Sequence, residues 1–326
     1  MINKIKTPDI LIKLVITSRI WKNKLLFFHE RRLLHFEKQK QKILYEKLKT
    51  DFNKLYKKIK RYPIRTYVTP FWQDSNKKME RVLLPYPAFD FFNNPNLLFL
   101  MFMTSGGNLL KKELNYLENK IKKPFLKKII REEYFGSSLI LNREYISSHN
   151  SIHHLYHLLK YEERTGKKLS NNMSIVEWGG GYGNLAKIFR RYTKRRTTYI
   201  IVDTPLFSCM QWLYLSIALG SDEVSIISNP NEKIINGRVN ILPLGLIKYY
   251  TFNADLFVST WGLSESTKDC QLFVKDKKFF GSKNFLLAFH KSTAILPDSD
   301  FIRSILPKDI KIEKNNLMKG NFYAFS

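Results

Sequence analysis

The segment Ser174-Ile175-Val176-Glu177-Trp178-Gly179-Gly180-Gly181-Tyr182-Gly183-Asn184-Leu185-Ala186 ends a short apolar run in one carboxylate and then places glycines at every second position. That order suits a nucleotide-cofactor loop. Glycines let the backbone pass close to a ligand at φ > 0, and the helix that follows turns its free N–H groups and positive dipole end toward that ligand. Leu185, Ile188, Phe189 and Tyr192 recur at helical spacing, so strand, turn and helix follow in order. Gly181-x-Gly183-x-x-Ala186 also fits the dinucleotide fingerprint, in which a pyrophosphate sits on the helix N-terminus. Glu177 weighs against that use, because a carboxylate there suits a cationic tail and opposes a pyrophosphate. Further on, the apolar strand Tyr199-Ile200-Ile201-Val202 ends in Asp203, placed to accept hydrogen bonds from ribose hydroxyls.

The pattern Glu177-x-Gly179-x-Gly181-x-Gly183 resembles the first motif of S-adenosylmethionine-dependent methyltransferases of the Rossmann-like class. Read with Val202-Asp203-Thr204-Pro205 and Ser259-Thr260-Trp261-Gly262-Leu263-Ser264-Glu265, it is similar to the sugar O-methyltransferases of bacterial surface-polysaccharide and glycosylated-antibiotic clusters, over roughly residues 138–326. The resemblance implies S-adenosyl-L-methionine as cofactor and methyl transfer to a sugar hydroxyl. Glu177, Gly179, Gly181, Gly183, Asp203 and Ser259 are the expected cofactor residues. The acid common after the third strand of this fold is absent from both Ser228-Asn229-Pro230 and Leu242-Pro243-Leu244-Gly245, which leaves backbone or Asn229 for the adenine.

A sugar hydroxyl is a poor nucleophile until its proton is removed, so the enzyme must supply a base, a metal, or both. His290, at the end of Phe285-Leu286-Leu287-Ala288-Phe289, and Glu265 are the two candidate catalytic residues, each at a strand end. The bland reading of Glu265 is helix N-terminal charge stabilisation behind a Ser264 cap. Trp261 suits stacking on a sugar ring. Tyr145, His149, His153 and His157 fall on one face of a helix expected over 142–164 and closed by Gly166, and the first three are expected to face substrate. His-x-x-x-His can hold a divalent metal, but no carboxylate joins the stripe locally, so no metal site is assigned.

The elements that must position these residues alternate: strands at 174–178, 198–203, 224–228, 239–242, 255–260 and 284–290, with helices at 184–193, 205–219 and 265–278. Closing strands are expected around 309–313 and 321–325. The fold class is α/β, a Rossmann-like methyltransferase sheet with helices on both faces, preceded by a mostly helical N-terminal region. Three parts are expected: residues 1–62 as a basic amphipathic helical arm with a stripe at Leu44, Leu48, Phe52, Leu55, Tyr56 and Ile59; residues 63–141 as an irregular or helical substrate-side cap broken at Gly106-Gly107; and residues 142–326 as the methyltransferase domain.

At 326 residues and 44% hydrophobic content the chain is globular. The longest apolar run, Leu97 to Met103, is far short of the roughly 20 residues that span a bilayer, and Lys13 and Arg19 break the apolar patch at 8–20, arguing against a secretory signal. Cys209 and Cys270 have no metal or redox spacing. The net charge of +27 is mostly lysine, and Asn and Ile are abundant as well, the pattern of AT-rich coding. The partner expectations are a sugar or glycan substrate, peripheral contact of a cytoplasmic protein with the anionic inner face of the membrane, and self-association; nucleic acid is disfavoured, since no basic-aromatic module is present. The rival readings are an NAD(P)-dependent sugar oxidoreductase, an RNA methyltransferase using the basic arm, and a non-catalytic scaffold for glycan assembly.

Overall fold

The computed structural model describes residues 31–104, 107–169, 173–194 and 197–326, with isolated positions at 14, 17, 18, 21, 22 and 25. Gly106 and most of the 8–20 patch lie outside the described residues. The chain opens with helices α1 (Arg31–Ile59), α2 (Pro70–Leu83), α3 (Pro95–Met101), α4 (Asn108–Lys120), α5 (Lys123–Ile130) and α6 (His149–Thr165). It then alternates β1 (Ser174–Trp178), α7 (Asn184–Thr193), β2 (Thr198–Asp203), α8 (Pro205–Leu219), β3 (Val224–Ile226), β4 (Val239–Pro243), β5 (Leu256–Thr260), α9 (Lys268–Asp276), β6 (Asn284–His290), β7 (Lys311–Lys314) and β8 (Asn321–Phe325).

These strands form one sheet in the order β3-β4-β2-β1-β5-β6-β8-β7. Strands β1 to β6 pair in parallel, and β8 enters antiparallel between β6 and β7. This is the expected α/β class, with its closing antiparallel hairpin. Parallel strands buried on both faces must be apolar throughout, which is why β1, β2, β5 and β6 read as continuous Val, Ile, Leu and Phe runs. From β1 the chain builds outward to one side and from β5 to the other, so a crevice opens between their carboxyl ends.

The amphipathic stripe of the N-terminal arm packs on the rest of the protein. Phe52, Tyr56 and Ile59 of α1 are buried, with Leu44, Leu48 and Leu55 packed on the same cluster, and α1 lies along α8. One continuous core runs from Tyr45 through the sheet to Phe325. The stretch expected to be irregular or helical is mostly helical, and Thr69-Pro70, Asn94-Pro95 and Lys123-Pro124 place proline in the first turn, where its missing N–H costs nothing.

Two helix boundaries require correction. The 142–164 helix begins at His149: Asn142 and Ser147 close a bridged turn, and the Ser148 side chain caps the helix by accepting from the Ser151 N–H. Tyr145 therefore precedes the helix whose face it was expected to share. The 265–278 helix begins at Lys268, capped by Thr267. Ser264 instead bonds the Trp261 carbonyl, and Glu265 stands in the turn before the helix. Among the described residues no helix is long and apolar enough to cross a membrane.

Candidate active site

The glycine turn leaves β1 into a cavity of about 340 Å³ at the crevice between β1 and β5. Gly179, Gly181 and Gly183 adopt φ of +77°, +57° and +90°, so the every-second-residue spacing records alternating left-handed backbone. Gly179 is also held by contact: a Cβ on it would lie 2.6 Å from the Gly262 Cα in the turn after β5. Gly181 faces open space, and its N–H donates to Asp203 Oδ2 at 3.1 Å. Gly183 is the N-terminal cap residue of α7.

Asp203 and Glu177 face each other across this turn, and both line the cavity. Burial raises the Asp203 carboxyl to about 7, against the hydrogen bonds it accepts from Thr204 N–H, Gln211 Nε2 and Gly181 N–H. Burial also raises Glu177, to about 8; the Tyr199 hydroxyl, donating at 2.9 Å, lowers it, and the Asp203 charge raises it. A buried and a half-buried acid, with no ion-paired cation among the described residues, favour a ligand that brings positive charge and hydroxyl donors. Apolar Phe207 and Leu244 complete the wall on this side. Leu244 directly follows β4, which pairs with β2 and so occupies the third-strand position; Asn229 instead bonds Glu232 and is not among the residues lining the cavity.

Ser259 is buried and takes no part in the cavity wall. Its hydroxyl donates to the Trp178 carbonyl at 3.0 Å and accepts from Leu263 N–H at 2.9 Å, tying the turn after β5 to the end of β1. Trp261 in that turn has φ +70°, an uncommon conformation for a bulky residue, and its indole N–H donates to Asn321. Its ring lines the cavity and stacks on His153 at 5.5 Å between centroids.

The two expected catalytic residues meet. His290 Nε2 lies 3.4 Å from Glu265 Oε1, while Glu265 Oε2 accepts from Trp72 Nε1 at 3.0 Å. Glu265 lines the cavity and His290 stands behind it, its Nδ1 against the Lys291 carbonyl. Burial pushes the His290 imidazole down, but the Glu265 and Lys291 hydrogen bonds outweigh this and leave it raised. Glu265 is therefore not a helix-dipole charge but a carboxylate wedged between Trp72 and His290.

The histidine stripe lies inside the protein. His149 and His153 are buried, and a carboxylate does join them, from α4: Glu113 bonds His149 Nε2 at 3.1 Å and His153 Nδ1 at 2.6 Å. Tyr145 is buried elsewhere, donating to Glu118 at 2.7 Å, and does not line the cavity. His154 does line it, kept neutral by burial at about 3, and meets the Asn184 amide.

Three contributors escaped the sequence reading. Gln211 donates to the Gly181 carbonyl and to Asp203 Oδ2, both at 2.8 Å, latching loop to acid. A lone glutamine in the apolar helix PLFSCMQWLYLSIAL was the available signal. Trp72 and Glu113 come from the N-terminal helices, far away in sequence, and carried no local signal.

No family profile matches the chain, and no curated relative does. Solved structures similar to it include the mitomycin 7-O-methyltransferase MmcR, at 12% identity and a TM-score of 0.37 over 76% of this chain and 74% of that one. The pyocyanin biosynthetic protein PhzM gives 12% and 0.36 over 52% and 53%. Aeropyrum pernix fibrillarin, solved with natively bound S-adenosyl-L-methionine, gives 9% and 0.34 over 52% and 73%. The chain spans 53% of PhzM, 39% of a chain of the Pnkp1/Rnl/Hen1 RNA repair complex and 59% of PigF. At these identities and scores the likeness assigns neither substrate nor residue role.

Proposed function

We propose that this protein is an S-adenosylmethionine-dependent O-methyltransferase acting on a hydroxyl of a sugar, either in a surface glycan or in its activated precursor. The observation that carries the reading is the pair Glu177, buried, and Asp203, half-buried, two acids converging on a left-handed glycine turn at the switch point of a parallel sheet. Acids beside the loop favour an ammonium, which can draw off their protons, and offer a pyrophosphate no positive charge, which argues against the nicotinamide alternative. Asp203 retains acceptor capacity for a ribose diol, and Phe207 and Leu244 offer apolar lining for a base.

When bound, S-adenosylmethionine supplies an electrophilic methyl group on a sulfonium that departs as a neutral thioether. What this chain adds is the handling of the acceptor. Trp261, Trp72 and Tyr67 line the cavity with aromatic faces that suit the apolar side of a sugar ring. Glu265 accepts the hydroxyl proton as the new O–C bond forms, and His290, 3.4 Å behind it, steadies the charge change. The net charge of +27 fits an acceptor that carries phosphate.

The test is transfer of a labelled methyl group from S-adenosylmethionine to a panel of nucleotide sugars, lipid-linked sugars, phenols and RNA. Label appearing on a sugar oxygen supports the reading. Label confined to RNA or to phenols replaces the acceptor half of it.

A further inference from the structure

Outside the cofactor turn, α4 and α6 bury a compact set of donor atoms. We propose that Glu113, His149 and His153 form a binding site for one zinc-class divalent transition-metal ion. One donor atom from each of the three residues can be chosen so that all lie within 4.8 Å of one another. His149 and His153 sit four residues apart on one face of α6, and Glu113 reaches them from the facing helix, with its two oxygens at 3.1 and 2.6 Å from the two imidazoles. Two histidines at i and i+4 with a carboxylate from another segment are a donor set that suits a zinc-like ion.

Charge points the same way. Glu113 is about 1% exposed, and the ion pairs it makes among the described residues are with the imidazoles of His149 and His153. A divalent cation would offset a carboxylate buried in this way. Coordination asks each imidazole to present a lone pair where it now donates an N–H, so the proton moves to the other ring nitrogen. For His153 that nitrogen is Nε2, buried and without a hydrogen-bond partner among the described residues, and therefore open to take it. Three protein ligands leave further coordination to water or a ligand, the composition of a reactive rather than a closed site. Of the three ligands His153 also lines the cavity, which puts the ion one imidazole behind its wall.

The experiment uses the full chain. Elemental analysis of protein expressed with zinc is expected to give about one zinc per chain. Chelator-treated protein titrated with Co²⁺ is expected to develop the visible bands of a low-symmetry four- or five-coordinate site, and Zn²⁺ should raise its melting temperature. Glu113→Gln keeps the side-chain shape and is expected to weaken Co²⁺ binding by at least about 10-fold, as is His149→Gln. Absence of bound metal together with no cobalt spectrum overturns the proposal, as does affinity unchanged in both variants. If the variants do not fold, wild-type stoichiometry and spectrum decide alone. S-adenosylhomocysteine binding, measured in parallel, reports on the functional reading independently of this site.

Discussion

Gly179 and Gly262 stand backbone against backbone: a Cβ on Gly262 would lie 2.7 Å from the Gly179 Cα and 2.6 Å from the Trp178 carbonyl oxygen. The turn after β1 and the turn after β5 are thus fitted to each other with no room for a methyl group, and neither backbone can yield without moving its strand end. Gly262→Ala is expected to destabilise the protein by about 1–3 kcal/mol and to lower cofactor affinity by displacing the loop. Gly181→Ala meets open space and only the cost of its φ of +57°, roughly 1–2 kcal/mol. Thermal melts of the two variants would show whether contact or conformation governs each position.

Glu177 and Asp203 make cofactor binding pH-dependent. Glu177 is raised from 4.5 to about 8 and Asp203 from 3.8 to about 7. Folded values above unfolded ones mean that the cofactor-free protein holds protons that the unfolded chain gives up. Their contribution to stability is full below about pH 4 and is lost as pH rises toward 7–8. A cationic ligand favours the carboxylates, so binding should expel protons and tighten between pH 6 and 8, by up to about tenfold per pH unit for each proton released. Calorimetry in buffers of different ionisation enthalpy counts those protons. Flat affinity with no proton release would remove the acids from the binding step.

Gln211 separates stability from binding. Its Nε2 joins the Gly181 carbonyl to Asp203, while its Oε1 is buried with no partner among the described residues. Gln211→Leu suits the apolar helix and removes that orphan, which offsets part of the two lost hydrogen bonds, so the melting temperature should change little. Cofactor affinity should fall by about 1–2 kcal/mol as the latch is lost. A variant that binds as tightly as wild type would show that the loop needs no latch.

Turnover depends on the Glu265 and His290 pair. Glu265→Gln is expected to reduce kcat by on the order of 10²–10⁴-fold with cofactor affinity nearly unchanged. His290→Asn should have a smaller effect, because His290 acts through Glu265 at 3.4 Å and does not line the cavity. Equal losses in both variants would mean that His290 itself reaches the acceptor.

The N-terminal helix belongs to the core. Phe52 is fully buried, and α1 lies along α8, the helix that carries Gln211. Phe52→Ala should cost about 3–5 kcal/mol. Removal of residues 1–40, which precedes that contact, should leave cofactor binding intact. Titration of the truncated protein checks the second point directly.

The sheet was legible because its signals are local. Continuous apolar runs ending in Glu177, Asp203 and His290 mark strands whose ends face the crevice, and Gly220 closes α8 where the apolar pattern stops. Helix starts were harder: Ser148 and Thr267 cap α6 and α9, whereas the apolar and polar pattern runs on several residues upstream of each. The cavity's far wall was illegible for a different reason. Trp72 reaches Glu265 across 193 residues and Glu113 reaches His153 across 40, and only the packing of helices on the sheet brings such pairs together.

The cofactor is identified most directly by calorimetric titration of the purified chain with S-adenosylhomocysteine and NADH in parallel. Saturable binding of S-adenosylhomocysteine at about one per chain is expected, weakened by about 1–3 kcal/mol in Glu177→Ala, with no binding of NADH. Tight NADH binding with no heat from S-adenosylhomocysteine would contradict the assignment.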